Sequence, residues 1–228
     1  MSDLRQFAPA TQRNREPIFA ILEEILPPDR AVLEISSGTG EHCIHFAPRL
    51  APRPWIPSDP NPSARDSIKA WQAAEPCPNL LPPLDLDVCW ELWPLEADLE
   101  AELGASPEAN PGPESLSPWD RERFPLGAIV NINMIHIAPW EACLGLMAGA
   151  GRLLPPQGVL YLYGPYKEGG VHTAPSNAAF DESLRSRDPR WGVRDLEAVI
   201  EVAAAQGLQH QQTIEMPAHN RSVIFCKL

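Results

Sequence analysis

A chain of 228 residues with 44% hydrophobic side chains is long enough to bury a substantial core and suits one domain, residues 1–228. Its 30 acidic residues outweigh 18 basic ones for a formal charge of −12, which excludes nucleic acid as the expected substrate, because phosphate binding depends on clustered Lys and Arg. Five cysteines with no C-x-x-C pair read as free thiols, and neither a charged leader nor an apolar run of ~18 residues is present, so a soluble cytoplasmic protein with no membrane partner is expected.

Met1 to Thr11 reads as an irregular arm. Asn14 is placed to cap a helix through Pro17, Ile18, Ile21, Leu22 and Ile25, whose spacing is amphipathic, and Pro27-Pro28 ends it. Ala31 to Ile35 is a short apolar run broken by Glu34, the pattern of a buried strand. Gly38-Thr39-Gly40 then turns the chain, since glycine tolerates positive φ and lets backbone approach a ligand closely. Ile44, Ala47 and Leu50 mark the helix that follows. Strand, glycine turn and helix make the nucleotide-cofactor corner of a Rossmann-like sheet, although an ordinary strand-to-helix turn has the same pattern.

Trp55 to Asp59 is a second strand. Asp59, nineteen residues beyond Gly40, stands where a carboxylate can accept both ribose hydroxyls of an adenosine. It also opens Asp59-Pro60-Asn61-Pro62, a good turn sequence by itself. Ser63 to Ala74 is the next helix, and Leu80 to Val88 a third strand ending in Asp85 and Asp87, either of which can take the adenine amino group. Glu91 to Leu103 is helix-like, and residues 104–118, rich in Pro, Gly, Ser, Glu and Asn, read as a flexible surface insertion. From Leu84 to Asp120 there are ten acidic residues and no basic one, the composition of a solvated flap.

Leu126 to Asn133 is the fourth strand, Trp140 to Leu154 a helix, and Gly158 to Tyr163 the fifth strand. Helical stretches near Ala178 to Arg187 and Arg194 to Gln206 precede two last strands, Leu208 to Met216 and Ser222 to Lys227, close enough for an antiparallel hairpin. The expected fold is therefore α/β: a Rossmann-like class I methyltransferase fold, with a seven-stranded, mainly parallel sheet, an antiparallel C-terminal hairpin strand and helices on both faces. A dinucleotide-binding Rossmann domain closes instead with a parallel sixth strand.

A carboxylate inside an apolar strand needs a cationic or hydrogen-bonding partner. At Glu34 a pyrophosphate would be repelled, whereas S-adenosylmethionine (SAM) carries an ammonium and a sulfonium. The stretch Glu34 to Gly40 resembles motif I of class I SAM-dependent methyltransferases, acid-x-Gly-x-Gly-x-Gly, with Ser36 in place of the first glycine. The fourth strand exits toward Asn133 and His136, the fifth into Tyr163-Gly164-Pro165-Tyr166. Asn133 can donate and accept hydrogen bonds, and His136 is the one base on this rim with an ordinary pKa near neutrality, or else a structural histidine at a strand end.

Five further stretches carry a family resemblance: Met134-Ile135-His136-Ile137-x-Pro139-Trp140, Leu160 to Pro165, His172 to Asn177, Arg187 to Asp195, and Met216-Pro217-Ala218-x-Asn220. With Arg13-Asn14 they are similar to the methyltransferase-like family known as domain of unknown function 938, over nearly the whole chain outside the acidic insertion. The family motifs contain Arg13, Asn14, His172, Ser176, Asn177 and Arg194, polar residues able to line a pocket, while Arg187 to Asp195 also reads as a loop held by ion pairs and Trp191.

The expectation is a SAM-dependent methyltransferase acting on a small molecule. Glu34, Ser36, Gly38, Gly40, Asp59, Asp85, Asp87 and Asn133 would hold the cofactor. Arg13, Asn14, His136, Tyr166, Ser176 and Asn177 would hold the substrate, and His136 or Tyr163 would act as a base. No metal is expected, since His42 and His45 lack a partner at a ligand spacing. A nicotinamide-dependent oxidoreductase is disfavoured by Glu34, by Cys43 where a third glycine would stand, and by the closing hairpin. A non-catalytic protein of the same fold, binding a partner through the acidic insertion, is the other alternative.

Overall fold

The computed structural model describes residues 3–96 and 119–228. Helix α1 (Pro9–Ile25) begins on a proline, whose fixed φ and missing N–H suit a first turn. It therefore starts ahead of Asn14, which does not cap it: Asn14 is buried inside the helix and its Oδ1 meets His42 Nε2 at 2.9 Å. Strand β1 (Ala31–Ile35) leads through the glycine turn into α2 (Glu41–Phe46). Strand β2 (Trp55–Pro57) precedes α3 (Pro62–Ala74), where Asn61 is the true cap, its Oδ1 accepting from Ser63 N at 3.0 Å.

The expected third strand from Leu80 to Val88 is a correction. It meets β2 and the residue just after it through two isolated parallel bridges, Trp55 to Leu80 and Ser58 to Leu84. Pro82 and Pro83 lie between them and supply no N–H, so the ladder cannot continue. Most of the helix-like stretch Glu91 to Leu103, and all of the insertion 104–118, lie outside the described residues.

The chain resumes with β3 (Leu126–Ile132), α4 (Trp140–Leu153) and β4 (Val159–Glu168). The two-residue strands β5 (Val171–His172) and β6 (Arg194–Asp195) flank α5 (Pro175–Arg187). Helix α6 (Leu196–Ala205) leads to β7 (Leu208–Met216) and β8 (Asn220–Lys227).

The sheet runs β2-β1-β3-β4-β8-β7, with β5 and β6 both on β4, eight strands among the described residues. β1, β2, β3 and β4 are mutually parallel, whereas β8 is antiparallel to both neighbours, β4 and β7. Inserting the last strand antiparallel between the fifth and sixth is what distinguishes the class I methyltransferase fold from a dinucleotide domain, and the chain has that fold.

Alternation along each strand sends side chains to two cores. Val32, Val130, Tyr161 and Ile224 face α1, α2 and α3, with Ile18, Leu22, Phe46 and Ile68. Leu33, Ile129, Leu162 and Phe225 face α4 and α6, with Leu146, Met147 and Val199. Gly145 and Gly149 are one turn apart on α4, and a Cβ on either would strike Val88 or the Trp93 ring, so this segment packs flat on the helix. No described helix is long and apolar enough to cross a membrane.

Candidate functional site

The carboxyl ends of the parallel strands form one rim, the place where ligands meet such sheets. At its centre the chain leaves β1 through three positive φ values: Ser36 at 55°, Gly38 at 57° and Gly40 at 87°. Ser36 thus adopts a glycine-like conformation despite its Cβ. The turn is laced to the end of β2, with Ser37 N donating to Ser58 O at 2.8 Å and Ser58 Oγ to Glu34 O at 2.7 Å.

The two glycines differ in surroundings. A Cβ on Gly40 would lie 2.9 Å from Ile68 Cγ1, so this glycine lets α3 pack against the turn. A Cβ on Gly38 would meet nothing within 4 Å. Beside that open space lies Asp59, buried at 7% exposure, whose Oδ2 accepts from Gly38 N at 3.0 Å and Oδ1 from Asn61 N at 2.9 Å. Burial raises the Asp59 pKa, partly opposed by those two amides. Asp59 thus closes the turn that it opens with Pro60 and Asn61, and it stands at the rim.

Glu34 lies under the turn at 2% exposure and accepts from Trp55 Nε1 at 2.8 Å. Desolvation pushes its pKa up to about 7, against the lowering effect of Trp55 and Ser37. The partner that makes its burial tolerable is a neutral indole. Asp85 is exposed and forks onto Arg65, with both contacts at 3.0 Å, while Asp87 accepts from Cys89 N at 2.9 Å. Asp59 N donates to Leu84 O at 3.1 Å, which brings Asp85 beside Asp59 and leaves Asp87 farther along the chain.

The N-terminal segment crosses the corner. Ala8 N donates to Glu41 Oε2, Gln6 N to Ser67 Oγ at 2.8 Å, and Ser67 Oγ to Thr39 O at 2.7 Å. From α1, buried Asn14 meets His42 Nε2 through its Oδ1 at 2.9 Å. Desolvation raises the Tyr163 pKa and outweighs the opposing effect of Asn14, Asn220 and the Arg13 charge. Arg13 itself is exposed.

Where β3 ends, Asn133 has φ 64° and its N–H donates to Tyr163 O at 2.8 Å. His136 is 2% exposed and lies over Gly164, where a Cβ would come within 3.0 Å of Nδ1. Its ring meets Phe180 edge-on at 5.7 Å, and buried Nδ1 has no hydrogen-bond partner. Desolvation, reinforced by the nearby Arg194 charge, lowers its pKa to about 3. The near-neutral pKa expected for His136 is thus a correction, since the loop buries the ring. Tyr163 and Gly164 are successive residues of one strand, so Tyr163 and His136 approach the rim from opposite faces.

Tyr166 is not on the rim. It is fully buried in the core under α4, its hydroxyl without a partner and its pKa raised well above the usual range by desolvation. Asn177 is buried and tethers two loops, donating to Thr173 Oγ1 and His219 O at 3.0 Å each, whereas Ser176 is exposed in the first turn of α5. His172 Nε2 lies 3.5 Å from Asp181 Oδ2. Arg194 Nε donates to Ile135 O at 2.8 Å and its Nη2 to Ala138 O, so it clamps the loop after β3 rather than facing solvent. Asn131, Asn220 and Trp55 were given no role from sequence. Asn131 Nδ2 donates to Ile35 O at 3.0 Å, holding the ends of β1 and β3 together. Of the three, Asn220 alone carried a signal, as the last residue of the Met216 to Asn220 motif.

Comparison with known proteins agrees with this architecture. An O-methyltransferase family protein from Burkholderia thailandensis superposes with a TM-score of 0.69 at 14% identity, covering 96% of this chain and 57% of its own. Human N-acetylserotonin methyltransferase, solved in complex with SAM, gives 0.67 at 9% identity, with 96% and 52% covered. An O-methyltransferase family 2 protein from Planctomyces limnophilus, solved with apigenin, gives 0.65 at 16% identity, with 95% and 62% covered. The chain thus spans little more than half the length of these solved proteins, and the likeness is one of fold. The model of the protein family of unknown function DUF938 matches residues 5–227, and the chain belongs to that family.

Proposed function

We propose that this protein is a SAM-dependent methyltransferase acting on a small molecule. The observation that carries the reading is the meeting of Asp59 with Gly38: a buried carboxylate at the exit of β2, held by the turn's own amide, beside space that a single Cβ would enter. A carboxylate has about four acceptor positions, so two beyond those used by Gly38 and Asn61 are free for a ribose diol. Ser36, Gly38 and Asn133 all turn the chain at the same rim with positive φ, and buried Glu34 gives the floor of the turn an acidic group suited to a cationic ligand. Antiparallel β8 counts against the nicotinamide alternative.

SAM supplies an electrophilic methyl group on a sulfonium. The chain's part is then to bind and align, since orienting the reacting atoms in line can supply much of the acceleration. Asp59 would orient the ribose, with Asp85 or Asp87 nearer the adenine. Asn133 would present its side chain where β3 and β4 exit together. His136 and Tyr163, with Arg13 and Asn14, would contact the acceptor from the two faces of β4. Asn177 would act through the loops it ties, and Ser176 lies where the acceptor could reach it.

Calorimetry on the purified protein with SAM and with NADH tests this, together with mass spectrometry of any retained ligand. SAM binding with no NADH binding is expected; the reverse would overturn the proposal.

A further inference from the structure

We propose that residues 4–8 form a strap that sets the glycine turn, so that docking of the strap and binding of SAM strengthen each other. This rests on the methyltransferase reading, in which the turn holds SAM. Three separate routes lead from the strap to Gly38-Thr39-Gly40. Ser67 Oγ accepts from Gln6 N at 2.8 Å and donates to Thr39 O at 2.7 Å. Glu41 Oε2 accepts from Ala8 N and from Thr39 Oγ1, the latter at 3.2 Å. Trp71 meets the Phe7 ring edge-on at 5.1 Å, lies 4.9 Å beneath the Arg5 guanidinium, and donates from Nε1 to Gln6 O at 3.2 Å. The same indole stands against Gly40, where a Cβ would lie 3.4 Å from Trp71 Cδ1.

Ser67, Glu41 and Trp71 are buried, whereas Leu4 and Phe7 on the strap are more than half exposed. Little apolar burial therefore holds the strap down. Its docking depends on the bonds just named, with exposed contacts from Gln6 Nε2 to Ser63 O and Oγ at 3.1 and 2.8 Å. A segment held in this way opens at small cost while the rest of the protein stays folded.

Opening of the strap reaches the turn through shared groups. The Gln6 amide polarises the Ser67 hydroxyl and so strengthens the bond that hydroxyl makes to Thr39 O. The Ala8 amide fixes the carboxylate that receives the Thr39 hydroxyl. With the strap docked, the Thr39 carbonyl and side chain are both held, and the turn has fewer conformations to lose when a ligand binds. A ligand of the turn then pays less ordering entropy. Linkage makes the effect reciprocal, so bound SAM holds the strap closed. Ser67 and Glu41 are positioning residues in this scheme, acting on the ligand through Thr39.

Hydrogen exchange on the full chain, read at single amides by mass spectrometry, tests the coupling at Gln6 and Ala8 with and without saturating SAM. SAM should slow both amides by roughly tenfold or more, within the usual range of coupling between sites. The double variant Arg5→Ala/Phe7→Ala strips the cover from Trp71 and leaves Ser67, Glu41 and the turn in place. It should release SAM roughly tenfold faster in stopped-flow measurements, with a urea midpoint close to that of wild type. Ser67→Ala, which cuts the route beneath the strap, should also release SAM faster. Exchange at Gln6 and Ala8 that ignores bound SAM, or unchanged SAM release by the double variant, would overturn the strap's role and leave the methyltransferase reading standing. Faster release by the double variant but not by folded Ser67→Ala would overturn it too, because the strap would then touch the ligand directly instead of acting through the turn. If wild type binds no SAM, the methyltransferase reading falls and this proposal with it.

Discussion

Replacing Gly38 and Gly40 by alanine, one at a time, asks whether the open side of the turn is where the cofactor lies. Both positions have positive φ, at 57° and 87°. An alanine there loses about 1–2 kcal/mol relative to a right-handed conformation. Roughly 0.4–1 kcal/mol of that is offset by the reduced freedom of the unfolded chain. With nothing within 4 Å of its Cβ, Gly38→Ala should lower stability only by the difference, on the order of 0.5–1 kcal/mol. At Gly40 the new Cβ would sit 2.9 Å from Ile68 Cγ1 and 3.2 Å from Ile68 Cα, so part of the strain falls on helix backbone that cannot swing aside. Overpacking of that kind adds about 1–3 kcal/mol, which brings the loss for Gly40→Ala to roughly 2–4 kcal/mol. Urea unfolding measures the two stabilities and calorimetry measures SAM binding. Gly38→Ala should stay folded yet bind SAM at least tenfold more weakly, a loss of about 1.4 kcal/mol. Unchanged SAM affinity in folded Gly38→Ala would remove this space from the cofactor site. Equal destabilisation by the two variants would refute the distinction between them.

Asp59→Ala should weaken SAM by at least ~1.4 kcal/mol in calorimetry, and unchanged binding by a folded variant would take Asp59 out of the site. Ser36→Gly should raise the urea midpoint by the equivalent of roughly 0.5–1 kcal/mol, because glycine relieves the 55° φ; a lower midpoint would show that the serine hydroxyl matters more than the backbone. Glu34 has a folded-state pKa near 7, above the ordinary ~4.3 of an unfolded glutamate. Its stabilising contribution is therefore complete below about pH 4 and lost as pH rises through about 7, a change on the order of 3 kcal/mol. Glu34→Gln keeps an acceptor for Trp55, so urea unfolding between pH 5 and 8 should show a flatter stability profile and a more stable protein at the alkaline end, within about that bound. A profile as steep as wild type would place the titration elsewhere.

Local pattern determined much of this protein. The apolar run Ala31 to Ile35, the glycines at 38 and 40 and the helical spacing beyond them specify strand, turn and helix from neighbouring residues alone. The two strands joined at Pro217 to Asn220 likewise announce the hairpin that separates this fold from a dinucleotide domain, and Asp59 is legible by its distance from the turn. Pro82 and Pro83 were equally visible, but whether Leu80 to Val88 forms a full strand depends on its pairing with β2. Tertiary structure decided which of the candidate polar groups share a space. Tyr163, Gly164 and Tyr166 are nearly adjacent in sequence, yet strand alternation turns Tyr163 toward α1 and buries Tyr166 beneath α4. His136 looked like a base until Gly164 and Phe180 closed around it. Asn14 finds His42, Asp85 finds Arg65, and Glu34 finds Trp55, each across at least twenty residues of chain. Side-chain periodicity is a short-range property of the backbone, whereas burial, counter-charges and the pKa values they set arise only when distant segments are brought into register.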